Sequence, residues 1–195
     1  MIKCEMTGRS YEDISEGIWD DGEFISWDWI NEQLHRQERE NAFPGADAEL
    51  IEVFDELVDT AIRYKEVTDR YLPIFGELGE LYAELRYGLK RNKAHAPGAD
   101  GRIGNDHVEV KTISPVKKKH KIQLKRSGNF NKVVVVRISA EFEFESRMFE
   151  RKRLGKGKGK FARISWASID SGGTPTGDPD AQQAVAAERP EADAG

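Results

Sequence analysis

The residues whose types and spacing could do chemistry are Asp100, Glu109 and Lys111. Glu109 and Lys111 are two apart in an alternating run, Val108-Glu109-Val110-Lys111-Thr112. On a strand that spacing puts both charged side chains on one face and both valines on the other, towards a core. Asp100 lies ahead of Ile103, and Gly104-Asn105-Asp106 tolerate the backbone of a tight turn. A hairpin then folds Asp100 back beside Glu109. Two carboxylates with open positions suit a hard cation such as Mg²⁺, which takes one or two carboxylates plus waters and substrate phosphate. An amine beside them can orient a water or stabilise charge developing on a phosphate.

The elements that must position this hairpin are legible as patterns. Ser26 predicts a cap for a helix running to about Glu40. Asn41-Ala42-Phe43-Pro44-Gly45 breaks it. Asp47 caps the next helix, in which Leu50, Ile51, Phe54, Leu57, Val58, Ala61 and Ile62 recur at three- and four-residue spacing. That stripe fits a helix covering a sheet, with a dimerisation or partner helix as the alternative. Pro73 opens a third helix, buried along Phe75, Leu78, Leu81, Tyr82, Leu85 and Leu89, and Gly88 suits its C-cap. After Lys111, Pro115 argues against a continuous strand, and Ile122 and Leu124 alternate with Gln123 and Lys125. The valines of Asn131–Ile138 predict a strand covered on both faces. Phe142–Glu145 and Phe161–Trp166 read as further strands.

Asp100 followed by Glu109-Val110-Lys111 resembles the PD-(D/E)XK nuclease superfamily, the restriction-endonuclease-like fold, over roughly the middle half of the chain. The resemblance implies an α/β core with a mixed β-sheet flanked by helices, preceded by an N-terminal helical extension. It implies a metal-dependent nuclease that hydrolyses phosphodiester bonds in nucleic acid, DNA ahead of RNA, with Mg²⁺ (or Mn²⁺) as cofactor. Asp100 and Glu109 would bind the metal, joined by the carbonyl of Val110, and Lys111 would position or activate water. Such folds often carry an acid on the helix before the hairpin. Glu80 is the first candidate, with Glu77 and then Glu84 behind it, and Ala83 would let that helix approach the sheet. A downstream Gln or second base, as in several families of the superfamily, maps onto Gln123 and Lys125. Asp106 is the alternative to Asp100, while His95 and His107 are candidate ligands or bases. The superfamily layout expects a helix after the central strand, and the β-rich pattern here departs from it.

Charge supports a phosphate-binding partner. Lys111 to Arg163 contains 17 basic and four acidic residues, a net +13, so the remainder of this chain of net charge −5 sums to −18. Lys117, Lys118, Lys119, Gln123 and Lys125 are candidate nucleic-acid contacts. So are Lys156, Lys158 and Lys160, whose Gly-Lys alternation reads as a phosphate-meeting loop or as a solvated turn. The expected organisation is an N-terminal helical extension over 1–70 packing on a nuclease core at 71–169, with a disordered tail over 170–195 that has almost no bulky apolar residues. No apolar run long enough for a membrane span is present, no signal core opens the chain, and Cys4 is the sole cysteine; a cytoplasmic protein with no membrane partner is expected. Such nucleases often work as homodimers or beside a partner protein. Two other classes fit the same residues: a non-catalytic nucleic-acid binder that retains the fold, and a protein-interaction module docking through the acidic N-terminal helices. No GxxxxGK[ST], GxSxG, HExxH or Cys–His zinc pattern occurs.

Overall fold

A computed structural model describes residues 1–93, 98–155, 157 and 159–169. Its contacts divide the chain into two compact units, Met1–Gly45 and Ala46 onwards. The expected tail, His95, Lys156 and Lys158 lie outside the described residues.

The first unit is not the purely helical segment expected from its sequence. It contains two antiparallel ribbons, β1 (Ile2–Lys3) with β2 (Ser10–Tyr11) and β3 (Gly17–Asp20) with β4 (Glu23–Ser26), before its single α-helix, α1 (Trp27–Ala42). Short polar strands of two to four residues leave too little alternation to read. The helix start was legible: Ser26 Oγ accepts from the Trp29 N–H at 3.4 Å. Cys4, Tyr11 and Phe24 form the buried cluster of this unit.

The second unit begins with α2 (Ala48–Thr68), so this helix belongs with the sheet-bearing part of the chain rather than with the N-terminal segment. Asp47 Oδ1 caps it by accepting from the Glu49 and Leu50 N–H groups. Helix α3 (Phe75–Tyr87) ends at Gly88, whose φ of +63° makes the left-handed C-cap that glycine adopts without strain. The strands β5 (Lys90–Arg91), β6 (Gly101–Ile103), β7 (Asp106–Ile113), β8 (Lys121–Lys125), β9 (Lys132–Ile138), β10 (Phe144–Glu150) and β11 (Phe161–Ser165) follow. Five of them form one mixed sheet in the order β10-β9-β7-β6-β5. The β7–β9 pair is parallel and the other three are antiparallel. Val133 to Val136 are fully buried on β9, inside the sheet, as their unbroken run predicts.

The two faces of this sheet are covered differently. Helix α3 packs on β7 and β9, and α2 packs on α3. The helix comes close to the sheet at Gly79, where an added Cβ would meet Thr112 Oγ1 at 2.0 Å. Gly79, more than the fully buried Ala83, therefore lets the helix down onto the sheet. The other face is closed not by a helix but by β8 and β11, an antiparallel ribbon. Ile122 and Leu124 of β8, with Trp166 and Ile169, bury against Ile113, Val133, Val135 and Phe149. The crossover between the parallel strands thus runs through a strand, in keeping with the β-rich pattern after Lys111.

Candidate metal centre

The hairpin forms as expected. Gly101 pairs with Val108, Arg102 with His107 and Ile103 with Asp106, around a two-residue turn. Gly104, first of the two, has a φ of +57°, where such hairpins favour glycine. Pairing with β6 stops at Val108, so the edge of β7 beyond it is open on that side. Asp100, one residue ahead of β6, fills the gap: its Oδ2 accepts from the Val110 N–H at 2.7 Å. On a strand, a residue's N–H and carbonyl point the same way, so the Val110 carbonyl opens onto the same edge.

The Lys111 ammonium sits there. Its Nζ lies 2.6 Å from Glu109 Oε1, donates to the Val110 carbonyl at 3.0 Å, and is 4.0 Å from Asp100 Oδ2. Three oxygen donors from Asp100, Glu109 and Val110 meet around one positive charge. Their side chains are only partly sheltered: Glu109 is 17% exposed, Asp100 28% and Lys111 33%. Across the sheet, Glu109 stands beside Val133 and Lys111 beside Val135, residues that bury under the β8–β11 ribbon. The charged group therefore borders a dry core on one side and solvent on the other.

Helix α3 adds a third acid. Burial, then the nearby charge of Asp100, then that of Glu77 push the Glu80 carboxyl up from its ordinary value, while Arg91 and Lys111 pull it back. Glu80 makes no hydrogen bond or ion pair among the described residues. Its competitors are occupied: Arg91 Nε donates to Glu84 Oε2 at 2.6 Å, and Arg91 Nη1 binds Glu77. Sequence reasoning missed Arg91. The available signal was the seven-residue spacing of Glu77 and Glu84, which places both on one helix face with Glu80 between them.

A second amine continues along the open edge. Lys117 Nζ donates to the Thr112 carbonyl at 2.6 Å. Burial, reinforced by the charge of Lys111, pushes its pKa down. The other candidates are placed elsewhere. Asp106 opens β7 rather than lying in the turn, and pairs with Lys132 at 2.7 Å. His107 faces Arg102, its Nε2 at 3.3 Å from the guanidinium. Lys118 and Lys119 are exposed in the loop before β8. Gln123 and Lys125 alternate with the inward Ile122 and Leu124, so they lie on the outer face of the ribbon and not with Glu109 and Lys111. Lys160, just before β11, places its Nζ 5.6 Å from the centre of the Phe161 ring.

The donor set bears on which ion fits. Among the described residues no three or more His, Cys, Asp or Glu side chains are grouped closely enough to hold a metal. Mg²⁺ does not need such a cage, because it keeps several waters and takes one or two carboxylates. The Lys111 ammonium already stands where oxygens converge, and Asp100, Glu109 and the Val110 carbonyl fit a hard cation.

No protein-family model matches the chain, and no curated protein matches it. The second unit is a mixed α/β fold built on a five-stranded sheet. Among the described residues, no helix is long and apolar enough to cross a membrane.

Proposed function

We propose that the chain is a Mg²⁺-dependent nuclease of the restriction-endonuclease-like class, hydrolysing phosphodiester bonds in nucleic acid, DNA ahead of RNA. The observation that carries this reading is the convergence of the Asp100 and Glu109 carboxylates and the Val110 carbonyl on the single cation of Lys111. The antiparallel hairpin leading into a strand parallel to β9 supports the fold resemblance, although a strand stands where that layout expects a helix.

Asp100 and Glu109 would hold the ion, with the Val110 carbonyl and Glu80 as further oxygen donors. A bound Mg²⁺ (or Mn²⁺) supplies a Lewis acid at the phosphoryl oxygen and lowers the pKa of water. The chain's own groups do the rest. The Val110 N–H fixes one oxygen of Asp100 and leaves the other free to bind. Lys111, released from Glu109, orients the attacking water or stabilises charge gathering on the phosphate. Lys117, next along the edge, adds a second positive charge to draw the phosphodiester in. Glu80, short of positive charge in its half-buried position, gains from any cation placed beside Asp100.

Supercoiled plasmid incubated at low salt with Mg²⁺ or EDTA tests the reading. Nicking or linearisation in Mg²⁺ alone is expected, together with its loss in Lys111→Ala while the circular dichroism spectrum is retained. A second reading, a non-catalytic nucleic-acid binder, draws on the same ammonium, which as it stands neutralises Glu109. Plasmid retention without metal-dependent cleavage favours it.

A further inference from the structure

The β8–β11 ribbon has an outer face that the candidate metal centre does not use. Directly paired residues on antiparallel strands share a face. The register pairs Lys125 with Phe161, Gln123 with Arg163, and Lys121 with Ser165. Lys121, Gln123, Lys125, Phe161 and Arg163 are all exposed, and the alternating Ile122, Leu124 and Ala162 are buried beneath them. The side chains of Lys121, Gln123, Lys125 and Arg163 make no hydrogen bond or ion pair among the described residues. No Asp or Glu occurs from Lys111 to Ala140 or from Arg151 to Ile169, so the ribbon and its neighbouring segments carry no acid.

The ribbon is also held firmly. Backbone bonds extend its ladder at both ends, from the Trp166 N–H to the His120 carbonyl and from the Arg126 N–H to the Lys160 carbonyl. Arg147 lies over the Trp166 ring, 4.4 Å from its centre, and its Nη1 donates to the Trp166 and Ile169 carbonyls. The outer side chains are therefore presented from a fixed backbone, which keeps the ordering cost of an interface low.

Size and chemistry agree on an occupant. Two strands about 4.8 Å apart and about 15 Å long fit the major groove of B-form DNA, about 12 Å wide, which admits a two-stranded ribbon. An arginine pairs in two-point fashion with guanine there, and a glutamine with adenine. The deep, narrow major groove of duplex RNA admits neither. Resting on the nuclease reading and naming its substrate, we infer that the outer face of the β8–β11 ribbon docks in the major groove of duplex DNA. The cross-strand pair Gln123 and Arg163 reads base edges, Lys121 and Lys125 meet the flanking phosphates, and Phe161 packs against sugar or thymine methyl.

The test is binding by the full chain in EDTA, where no metal-dependent cleavage occurs. Fluorescence anisotropy is read with three probes: a short random-sequence DNA duplex, the same duplex carrying glucosylated hydroxymethylcytosine to block the major groove, and an RNA duplex. Wild type is expected to prefer the unmodified DNA. Gln123→Ala with Arg163→Ala weakens that affinity about tenfold or more. Lys121→Gln with Lys125→Gln lowers the slope of log affinity against log salt by about 2. Arg163→Lys keeps the affinity and flattens the base preference at one position of sequences recovered from a random pool, which loss of charge alone would not do. All these residues are exposed, and an unchanged melting curve checks each fold. Unchanged DNA affinity in the double alanine variant, equal binding of glucosylated DNA, or equal binding of RNA overturns the inference. If wild type still cleaves plasmid in that case, only the ribbon assignment fails. If binding depends on the ribbon but plasmid is never cut, the ribbon stands and the nuclease reading fails.

Discussion

Replacing Lys111 by methionine separates a metal centre from a structural ion pair. In the native protein the ammonium bridges Glu109 Oε1 and the Val110 carbonyl and lies within reach of Asp100. A hydrogen bond to a charged group contributes about 1.5–3 kcal/mol, and the one-third exposure of Lys111 argues for the lower end. Its loss also leaves the Glu109 and Asp100 carboxylates without that counter-charge. A cost of about 2 kcal/mol in EDTA is expected, or about 4–8 °C in melting temperature for a chain of this size. If the carboxylates are metal ligands, Mn²⁺ reverses the deficit. At a hundredfold excess over its dissociation constant, an ion that binds only the folded state adds about 2.7 kcal/mol, or about 5–10 °C. Wild type gains less, because the ion must first displace the ammonium from Glu109. Differential scanning calorimetry in EDTA and in Mn²⁺ at matched ionic strength measures both effects. Glu109→Gln combined with Lys111→Met controls for ions bound elsewhere and should show no gain. A Lys111→Met variant that melts identically with and without Mn²⁺ refutes the reasoning, and the Lys111–Glu109 pair is then structural.

Two other perturbations probe the support of the centre. Gly79→Ala drives a methyl group into Thr112, and overpacking of this kind costs about 1–3 kcal/mol; a melting temperature lower by about 2–12 °C is expected, partly restored by Thr112→Ala. Glu80→Gln should raise the melting temperature near pH 7 in EDTA. The native carboxyl has a folded pKa above its unfolded value, so the fold disfavours its ionised form; that disadvantage is absent below the ordinary value of 4.5 and grows as pH rises through the folded pKa. The advantage of the variant should therefore close by about pH 4, and a gain independent of pH would exclude charge burial as its cause.

The parts of this fold legible in the sequence are those set by local rules. Ser26, Asp47 and Gly88 mark helix ends through their own backbone chemistry, and the alternation from Val108 to Thr112 fixes which side chains share a face. The convergence of Asp100 with Glu109 was legible too, because a two-residue turn leaves little freedom in how a hairpin closes. What depends on pairing across long separations was not. The sequence shows that Gln123 and Lys125 share a face, but not which face turns inward; that is decided by Ile122 and Leu124 meeting Val133 and Val135. The occupation of Glu77 and Glu84 by Arg91 likewise depends on β5 leaving α3 at a particular angle, which no periodicity encodes.

The common cause of the candidate centre is the late start of β6. A longer β6 would have paired the Val110 and Thr112 edge of β7 with backbone, leaving no free N–H for Asp100 and no carbonyl for either lysine. Because β6 begins only at Gly101, the same edge must satisfy its polar groups with side chains. It recruits a carboxylate to the Val110 N–H and ammonium groups to the Val110 and Thr112 carbonyls. Opposite charges are thereby brought together by the backbone's own hydrogen-bonding demand. Charge complementarity between these side chains follows from that demand, and so does the clustering of acidic oxygens on which the proposed metal chemistry rests.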